Sequence, residues 1–490
     1  ARPGRRRPAR RRGGIGMTLS GNDGVPPLPD TARVVNIGLS LFADAVARQG
    51  FEVANVDWRI PAGGDPDVVA ALARLHGPKA AVVEPANAEV LRRLDGGAPR
   101  ATGVRPAADV MPGFEGTTLL HCGPPIDYAD AIDPLRRSMR AAVVAEGWAH
   151  DIAGADRLLA SGRVGLEPAN RHDACVPMVT AIGPSQPVWT VENAAGGNRA
   201  FAPLNQGPGD TAWFGRDTPG AIDRLRFLAA VAGPLLDKAI RSHGPVDVMS
   251  IAAQGMHMGD DVHIRLQGST NLMLRDLLPH LAALDDPRRV DLARFLAGNH
   301  LFFLNLAMAA ARALTGWAMA VPHASIVTTM TRNGTEFGVG LAGSPGWHLA
   351  PAPDVGQALY YSDYGPEAAA PDVGDSAVLE LVGLGAAAAA GSPAVAAFVG
   401  GTMADARATT EELDLVCAGR SSRLRMPVLD LRGTPLGIDA RRVVELGITP
   451  KITTGVLHAS AGIGQVGAGV AEAPMACFVD AVMALDRALA

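Results

Sequence analysis

The most informative stretch of this chain is a polar turn at residues 331–336, Thr-Arg-Asn-Gly-Thr-Glu. The apolar, β-branched run 325–329 enters the turn, and a second short strand-like run, 337–340, leaves it. Asn-Gly between two such runs predicts a β-hairpin or another sharp turn. The turn brings a cation, two hydroxyls, an amide and a carboxylate together within a few residues, which is more chemistry than a surface hairpin needs.

These side chains suit a small, planar, anionic substrate, because Arg offers a fork of donors to a carboxylate or a phosphate. We therefore predict that Arg332, Asn333 and Glu336 are catalytic and that Thr335 binds substrate. The alternative is a structural turn with solvated ends.

A second cluster holds two His and two Asp within seven residues, namely His257, Asp260, Asp261 and His263. Imidazole and carboxylate groups suit zinc, iron or manganese, but the spacing matches neither HExxH nor a facial triad. We predict instead that His263 is catalytic, as a general base near pH 7 that a carboxylate steadies. We expect neither a metal nor an organic cofactor; a bound metal would use these four residues. A polar loop is the structural alternative.

Two polar segments are predicted to bind substrate. Asn193, Asn198 and Arg199 surround a Gly-Gly turn that could expose backbone N–H groups to an anion, although a plain loop is equally compatible. Lys451 is one of three lysines in a chain that otherwise uses Arg, which favours a specific role as a point charge. His458, at the end of the segment 449–458 that contains Lys451, is also predicted to bind substrate.

Asn305 lies on an otherwise apolar helical face, and a buried Asn needs hydrogen-bond partners. It therefore either braces a neighbouring loop or contacts a ligand, and we include it among the predicted substrate-binding residues.

The fold class predicted from hydrophobic spacing is α/β. The first part alternates strands and helices, which implies a parallel sheet with right-handed crossovers: strands at 34–38, 51–58 and 80–84, helices at 39–49 and 67–76. No GxGxxG follows the first strand, so a dinucleotide is poorly supported. Elsewhere we predict helices at 219–241 and 376–390 and a buried strand at 246–251.

The predicted organisation has three parts. Residues 1–29 are an Arg-rich, disordered extension and lead-in. Residues 30–160 form a Rossmann-like domain with a parallel sheet. Residues 161–490 form a larger mixed α/β domain that is rich in helices and carries most of the polar clusters.

Charge and cysteine content narrow the class of protein. Residues 1–16 hold seven Arg and no acid, so removing them changes the net charge from -5 to -12. An acidic body argues against a nucleic-acid partner. The four cysteines are widely spaced and form no CxxC pair, which fits a reducing cytoplasm. The small-apolar run 383–401 is interrupted by Gly-Ser-Pro and is not predicted to span a membrane.

Several motifs together resemble one family. They are VNIGLSLFAD, VDWRIPAGGD, VENAAGGNRA, GDDVH, FFLN, TRNGTEFG, DVGDSA, LDLRGTPLGID and GITPKITTGVLH followed by GIGQVGAG. In this order they resemble the DUF1116 (YlbE-like) family, over roughly residues 30–480. Two stretches depart from the family pattern: 264–268 lacks the expected Asn residues, and His300-Leu301 replaces an acid followed by His.

This resemblance implies a function. Family members are associated with an FdrA-like protein, and one branch is identified as a subunit of oxamate carbamoyltransferase in anaerobic allantoin catabolism. Carbamoyl transfer between carbamoyl phosphate and a small amide acid such as oxamate is therefore expected, in purine or ureide nitrogen catabolism and in the cytoplasm. We expect a homo-oligomer with an FdrA-like partner and neither nucleic acid nor membrane as a partner.

Other readings remain open. The two departures leave room for a paralogue that acts on another amide or ureide. A second class is an amide or cyclic-ureide hydrolase, with or without the assistance of a metal. A non-catalytic scaffold subunit of an FdrA-like complex is a third.

Overall fold

The computed structural model describes residues 33–56, 60–114 and 116–489. The chain separates into two compact units, with the division between Arg59 and Ile60. The domain boundary at residue 160 stays a prediction. The Arg-rich extension at residues 1–29 lies outside the described residues.

The unit that ends at Arg59 contains one strand–helix–strand motif: β1 (Arg33–Ile37), α1 (Ser40–Ala47) and β2 (Glu52–Val56). The two strands pair in parallel, with Val35 opposite Ala54. The predicted strand–helix–strand start of the chain is therefore confirmed.

The predicted third strand at 80–84 is wrong, because these residues form the first turns of helix α3 (Ala80–Gly96). A short apolar run cannot be told from a buried helix by periodicity alone. In the helix, Val83, Val90 and Leu94 lie on one buried face. The parallel sheet is thus not continued by this segment, and the structure establishes a mixed α/β fold without a clear Rossmann-like domain.

The larger unit is a mixture of helices and mostly antiparallel sheets. Besides α3, its helices are α2 (Pro66–His76), α4 (Ala107–Val110), α5 (Asp133–Ala145), α6 (Ile152–Ala160), α7 (Pro219–Phe227), α8 (Gly233–His243), α9 (Val248–His257), α10 (Gln267–Ala282), α11 (Arg289–Ala297), α12 (Phe303–Met319), α13 (Pro393–Phe398), α14 (Met403–Val416), α15 (Ala440–Leu446) and α16 (Met475–Ala488). Its strands are β3 (Pro99–Pro106), β4 (Thr118–His121), β5 (Gly165–Pro168), β6 (Pro187–Asn193), β7 (Arg199–Pro203), β8 (Val246–Asp247), β9 (Val327–Asn333), β10 (Glu336–Leu341), β11 (His348–Pro351), β12 (Gln357–Tyr360), β13 (Val373–Gly374), β14 (Cys417–Met426), β15 (Arg432–Ile438), β16 (Lys451–Leu457) and β17 (Gln465–Glu472).

The strands form several small sheets. Two have four strands, in the orders β7-β6-β3-β8 and β11-β10-β9-β13, and one has three, in the order β12-β17-β16. β14 pairs with β15, and β4 pairs in parallel with β5. The predicted helix-rich, mixed α/β character of the later part of the chain is confirmed.

The centre of the larger unit is α12, which packs against β6, β7 and α3. Its sequence is apolar on nearly all sides, as expected for a helix that is covered all round. His300 and Leu301, shortly before the start of α12, lie in the wall of the cavity described below. Among the described residues, no helix is long and apolar enough to cross a membrane.

Three further segments differ from prediction. The strand at 246–251 stops after β8, because Asp247 accepts a hydrogen bond from the N–H of Ser250 and starts α9. The single helix at 219–241 is two helices joined by a π-helical turn, Leu228–Ala232. Pro234 follows this turn and lacks the N–H that would bond to Ala230, which explains the widening.

The third difference bears directly on the site. The predicted helix at 376–390 is a series of 3₁₀ turns, Ser376–Val378, Glu380–Val382 and Gly385–Gly391. Gly383 and Gly385 interrupt it with φ of +87° and +59°, a conformation that favours glycine. These turns place Glu380 in the interior, where it is 1% exposed.

Candidate functional site

A cavity of about 440 Å³ opens on the larger unit. Most of its wall is apolar or aromatic, and a few polar side chains converge on it, as in ligand sites generally. The aromatic lining residues are Trp213, Phe214, Tyr360, Tyr361 and Phe398, and the polar lining residues include His263, His300, Ser376 and Gln465.

His263 is the side chain in this wall that is best placed for proton transfer. Its Nδ1 lies 2.8 Å from Oε1 of Glu380, and both side chains are buried. If Nδ1 carries the proton that Glu380 accepts, Nε2 is left as the free base; this assignment follows from the hydrogen-bond pattern. Nε2 makes no hydrogen bond to any other described residue, so it is available to a molecule in the cavity.

Glu380 is held by more than the imidazole. Its Oε1 also accepts hydrogen bonds from the N–H and the hydroxyl of Thr453 and from the N–H of Ala386, each at 3.2 Å. These contacts fix the carboxylate, which in turn fixes the ring. The base-and-orienter arrangement is the one that general-base catalysis requires.

The loop before α10 gives His263 its position. Val262 adopts a left-handed φ of +62°, which is unfavourable for a β-branched residue. Asp261, fully buried, holds this conformation by accepting hydrogen bonds from the N–H groups of Ile264 and Arg265. Burial raises the pKa of Asp261. Local backbone strain is thus retained beside the candidate base.

Gly385 permits the close approach of the two partners. A Cβ at this position would lie 2.1 Å from Oε1 of Glu380 and 3.0 Å from Nδ1 of His263. Because real Cβ atoms do not approach so closely, a larger residue would displace the carboxylate from the ring.

A buried charge network lies behind this wall, around Arg332. The guanidinium is fully buried, and its Nε and Nη2 donate to the carboxylate of Asp372 at 2.7 and 3.1 Å. The hydroxyl of Thr454 donates to the same carboxylate at 2.8 Å. Thr454 follows Thr453 in β16, so one strand braces both the Arg332–Asp372 pair and Glu380.

Asp375 is a second buried carboxylate of this network. It accepts hydrogen bonds from the hydroxyl of Thr331, at 2.5 Å, and from the N–H groups of Gly123 and Val176. Desolvation raises the pKa of Asp375 to about 6, although these bonds and the nearby Arg332 oppose the rise. Although Asp375 directly precedes the 3₁₀ turn Ser376–Val378, its side chain makes no capping hydrogen bond.

The predicted hairpin is confirmed, as β9 and β10, with Gly334 in the turn at a φ of +85°. Its polar side chains, however, have structural partners. Asn333 accepts from the N–H groups of Thr335 and Glu336 and donates to the carbonyl of Pro124. Arg332, Asn333, Thr335 and Glu336 do not line the cavity. These contacts are those of a structural turn, and the roles that the sequence predicts for the four side chains stay predictions.

The turn between β6 and β7 is likewise held by its own polar groups. Asn193 accepts from the N–H of Ala98 and donates to Asn198, whose amide donates to the carbonyl of Ala313. Arg199 is exposed and pairs with Glu192 at 3.0 Å. None of the three lines the cavity, and their predicted role in binding substrate stays a prediction.

Asn305 braces a neighbouring loop, which was one of its two predicted roles. It donates to the carbonyl of Pro203 at 2.7 Å and accepts from Asn205 at 2.9 Å. Asn299 donates to the same Asn205. This buried amide cluster fixes the loop that presents Pro208 to the cavity.

Lys451 and His458 also have protein partners. Lys451 forms an ion pair with Glu412 of α14. Nδ1 of His458 lies 2.8 Å from the carbonyl oxygen of Ser460, and its ring packs edge-on against Tyr364. Neither lines the cavity, so the geometry does not assign them to substrate.

The four residues that a bound metal would use, His257, Asp260, Asp261 and His263, are not arranged around a common point. Asp260 binds the N–H groups of Gly268 and Ser269 at the start of α10, and Asp261 braces its own loop. His257 is exposed, with Nε2 3.2 Å from the carbonyl of Arg425. Among the described residues, no group of three or more His, Cys, Asp or Glu side chains is arranged as a metal site.

His263 is among the candidate residues that the sequence predicts, but Glu380 and Ser376 are not, and the catalytic role of His263 stays a prediction. Glu380 is the single charge in the apolar run Val378-Leu379-Glu380-Leu381-Val382. An acid in such a run is almost never fully buried without a partner. That pattern was the available signal for a functional carboxylate.

Comparison with known proteins identifies the family. Residues 164–376 match the family model of the oxamate carbamoyltransferase subunit AllG. The chain is 40% identical over 413 residues to the oxamate carbamoyltransferase subunit AllG of Escherichia coli (strain K12), covering 83% of this chain and 98% of that protein. It is 34% identical over 455 residues to the uncharacterized protein YahG of the same organism, covering 92% and 96%.

A solved structure is similar throughout. It is the crystal structure of a conserved protein of unknown function from Enterococcus faecalis V583, with 34% identity, a TM-score of 0.81, and coverage of 83% of this chain and 98% of that one. Nearly the whole length of each relative is matched at these identities. This chain belongs to the family of the oxamate carbamoyltransferase subunit AllG.

Proposed function

We propose that this chain is a subunit of a carbamoyltransferase and that the cavity at His263 is where carbamoyl transfer takes place. The observation that carries the proposal is a cavity-facing imidazole held by a buried carboxylate, His263–Glu380. It occurs in a chain whose relative AllG is named as a subunit of oxamate carbamoyltransferase.

The chemistry fits this pair. An amide nitrogen is a weak nucleophile and must lose a proton as it attacks. In the forward direction, the acceptor nitrogen forms a bond to the carbamoyl carbon and the carbon–oxygen bond to phosphate breaks. Phosphate leaves with the bonding electrons, and the nitrogen's proton passes to Nε2 of His263. Glu380 stabilises the imidazolium that results, as an orienting carboxylate does elsewhere.

The cavity suits a small planar acceptor such as oxamate. Trp213, Phe214 and Tyr361 offer flat apolar surfaces, and Ser376 and Gln465 offer hydrogen-bond donors and acceptors. Walls of this kind would hold the acceptor in one orientation. The entropy cost of orienting it would then be met on binding and would no longer add to the activation barrier. In reverse, the same site would support phosphorolysis of oxalurate within purine or ureide nitrogen catabolism.

We further propose that the chain works in a complex with an FdrA-like subunit. Two observations support this: the relative AllG is a subunit of oxamate carbamoyltransferase, and the sequence resembles the DUF1116 family, whose members are associated with an FdrA-like protein. A reaction with two substrates, one carrying a phosphate, also needs cations that the cavity wall does not supply.

The test measures phosphate release from carbamoyl phosphate, with oxamate and related amides as acceptors. The chain is assayed alone and with the products of its neighbouring genes. We expect acceptor-dependent release that falls about 10²- to 10⁴-fold in His263→Ala, the usual range for loss of a general base. His257→Ala, at an exposed histidine of the same segment, is the matched control and should keep wild-type activity.

Three outcomes have distinct meanings. Acceptor-dependent release that survives His263→Ala would move the chemistry away from this cavity. Release of ammonia or carbon dioxide from an amide without carbamoyl phosphate would favour the hydrolase. Full activity of the complex with both His263→Ala and Glu380→Gln would favour a scaffold role for this chain.

A further inference from the structure

The described wall of the cavity offers a phosphate group no fixed positive charge. Among the described residues, no Arg or Lys lines it. Two guanidinium groups lie within two residues of a lining residue in sequence, and both are already paired: Arg216 with Asp210 at 2.9 Å and Arg265 with Asp260 at 3.4 Å. Phosphoryl groups are normally bound by Arg or Lys through charge-assisted hydrogen bonds. The phosphate end of a donor therefore has no cation in this wall.

The segment 349–406, which supplies five of the lining residues of the cavity, carries acidic residues and no basic ones. Residues 349–406 contain seven Asp or Glu and no Lys, Arg or His. Three of these acids, Asp372, Asp375 and Glu380, are buried in the network described above, and Asp405 caps α14. The other three are exposed and form no ion pair with any described residue: Asp354, Asp363 and Glu367.

These three exposed acids flank the lining residues of β12. Glu367 and Asp354 lie close enough to Tyr360, which lines the cavity, to add to the desolvation that raises the pKa of this phenol. Asp363 occupies a left-handed φ of +87°, two residues after the lining residue Tyr361. We refer to residues 354–367 as the rim.

The rim also exposes apolar side chains. Leu359 is 51% exposed, Tyr361 is 53% exposed and Tyr364 is 36% exposed. Exposed tyrosines bordered by charges are typical of protein–protein interfaces, whereas scattered single apolar residues are not informative. Unpaired carboxylates of one sign select a partner of the opposite charge and speed its approach.

We propose that the rim is the docking surface for a basic face of a partner subunit, and that this face supplies the Arg or Lys side chains that bind the donor's phosphate. The site is then composite: this chain contributes the acceptor cavity and His263, and the partner closes the mouth with cations. The proposal rests on the proposed function, because it assigns the phosphate to a carbamoyl donor. A second copy of this chain docked rim to rim is disfavoured as occupant, since it would present the same acidic surface.

The first experiment measures the affinity of the partner subunits for the full-length chain. The rim variant carries Asp354→Asn, Asp363→Asn and Glu367→Gln. The control variant removes three exposed acids that form no ion pair with any described residue and lie outside the rim, by Asp285→Asn, Asp430→Asn and Asp480→Asn. We expect the rim variant to bind at least about tenfold more weakly, with unchanged melting temperature, and the control to bind like the wild type. Wild-type binding should weaken as salt is raised, because exposed charges are screened.

The second experiment titrates inorganic phosphate into the chain alone and into the complex. We expect phosphate to bind the complex at least about tenfold more tightly than the chain alone. Equal binding to both would overturn the composite site. Partner affinity within about twofold of wild type in the rim variant would overturn the docking surface. A rim variant that changes self-association of the chain alone, through the Arg-rich residues 2–12, and leaves partner binding unchanged would also overturn it.

Partner affinity and phosphate binding can both be measured without turnover. They therefore test the docking surface separately from the proposal of carbamoyl transfer. If assembly and phosphate binding depend on the rim but no acceptor releases phosphate from carbamoyl phosphate, the docking surface stands and the carbamoyl-transfer assignment falls. If transfer proceeds in the chain alone at the rate of the complex, the composite site falls and the assignment stands.

Discussion

At the scale of single residues, His263 can act as a base only while its ring keeps one orientation, and Glu380 is the side chain that holds it. We predict that Glu380→Gln lowers kcat by about ten- to a hundredfold with little change in KM, because the amide no longer stabilises the imidazolium in the transition state. Steady-state kinetics of the assembled enzyme measure this split. Asp285→Asn, at an exposed carboxylate, should leave both constants unchanged. A rise in KM with constant kcat would mean that Glu380 serves binding alone.

A separate prediction concerns Asp375 and the pH dependence of the free energy of unfolding. Its pKa is raised from 3.8 to about 6 in the folded chain, so the folded state binds the proton more tightly than the unfolded state. The stability contributed by this proton is fully present below about pH 4 and is lost as the pH rises through about 6. The change amounts to roughly 3 kcal/mol at about 1.4 kcal/mol per pKa unit.

Urea unfolding between pH 4 and pH 8 measures this effect, in wild type and in Asp375→Asn. We expect the difference in unfolding free energy between the two to shift in favour of the variant as the pH rises through this window. The comparison uses the pH dependence and not the absolute stability of the variant, because its amide cannot accept from all three donors that Asp375 binds. A difference that stays constant across the window would show that Asp375 is ionised throughout.

At the scale of elements, the 3₁₀ segment that carries Gly385 decides whether the two partners can meet. We predict that Gly385→Ala reduces activity by about a hundredfold, because its Cβ would push Glu380 away from the imidazole and small displacements of catalytic groups are costly. The left-handed φ adds roughly 1–2 kcal/mol of strain. Gly391→Ala is the matched control in the same segment, where a Cβ would meet nothing within 4 Å. Activity per folded molecule is the measurement, and equal activity of both variants would contradict the prediction.

Individual elements show why the hairpin could be predicted from the sequence, whereas other elements and the His263–Glu380 contact could not. Asn333-Gly334 specifies its turn by local backbone preference, so the hairpin followed from the sequence. Residues 80–84 and 246–251 are apolar runs whose helical or extended state depends on what packs around them. His263 and Glu380 are 117 residues apart, and their contact depends on the whole tertiary arrangement. Arg332 has the chemistry of a substrate ligand, but it is buried against Asp372, and only the packing shows this.

At the scale of the whole molecule, the two units differ in how much apolar surface they cover. In the unit that ends at Arg59, α1 buries one residue, Ala43, while Val35 and Ile37 of β1 are more than half exposed. Parallel sheets are usually covered on both faces, and a pair of strands alone is marginally stable. In the larger unit, β9 is buried along its whole length and α12 along most of it.

This contrast predicts unequal protection from hydrogen exchange. The amides of α1 should exchange at least about tenfold faster than those of α15, a helix of nearly equal length in the larger unit, because local opening exposes little apolar surface in α1. α15 is the matched reference, since four of its residues are buried and Asp439 caps its start. Native-state exchange followed by mass spectrometry measures both helices in one sample. Equal protection of the two helices would contradict the prediction and would show that the exposed face of β1 is covered in solution. A second measurement, with the partner subunits present, would show whether they increase the protection of α1.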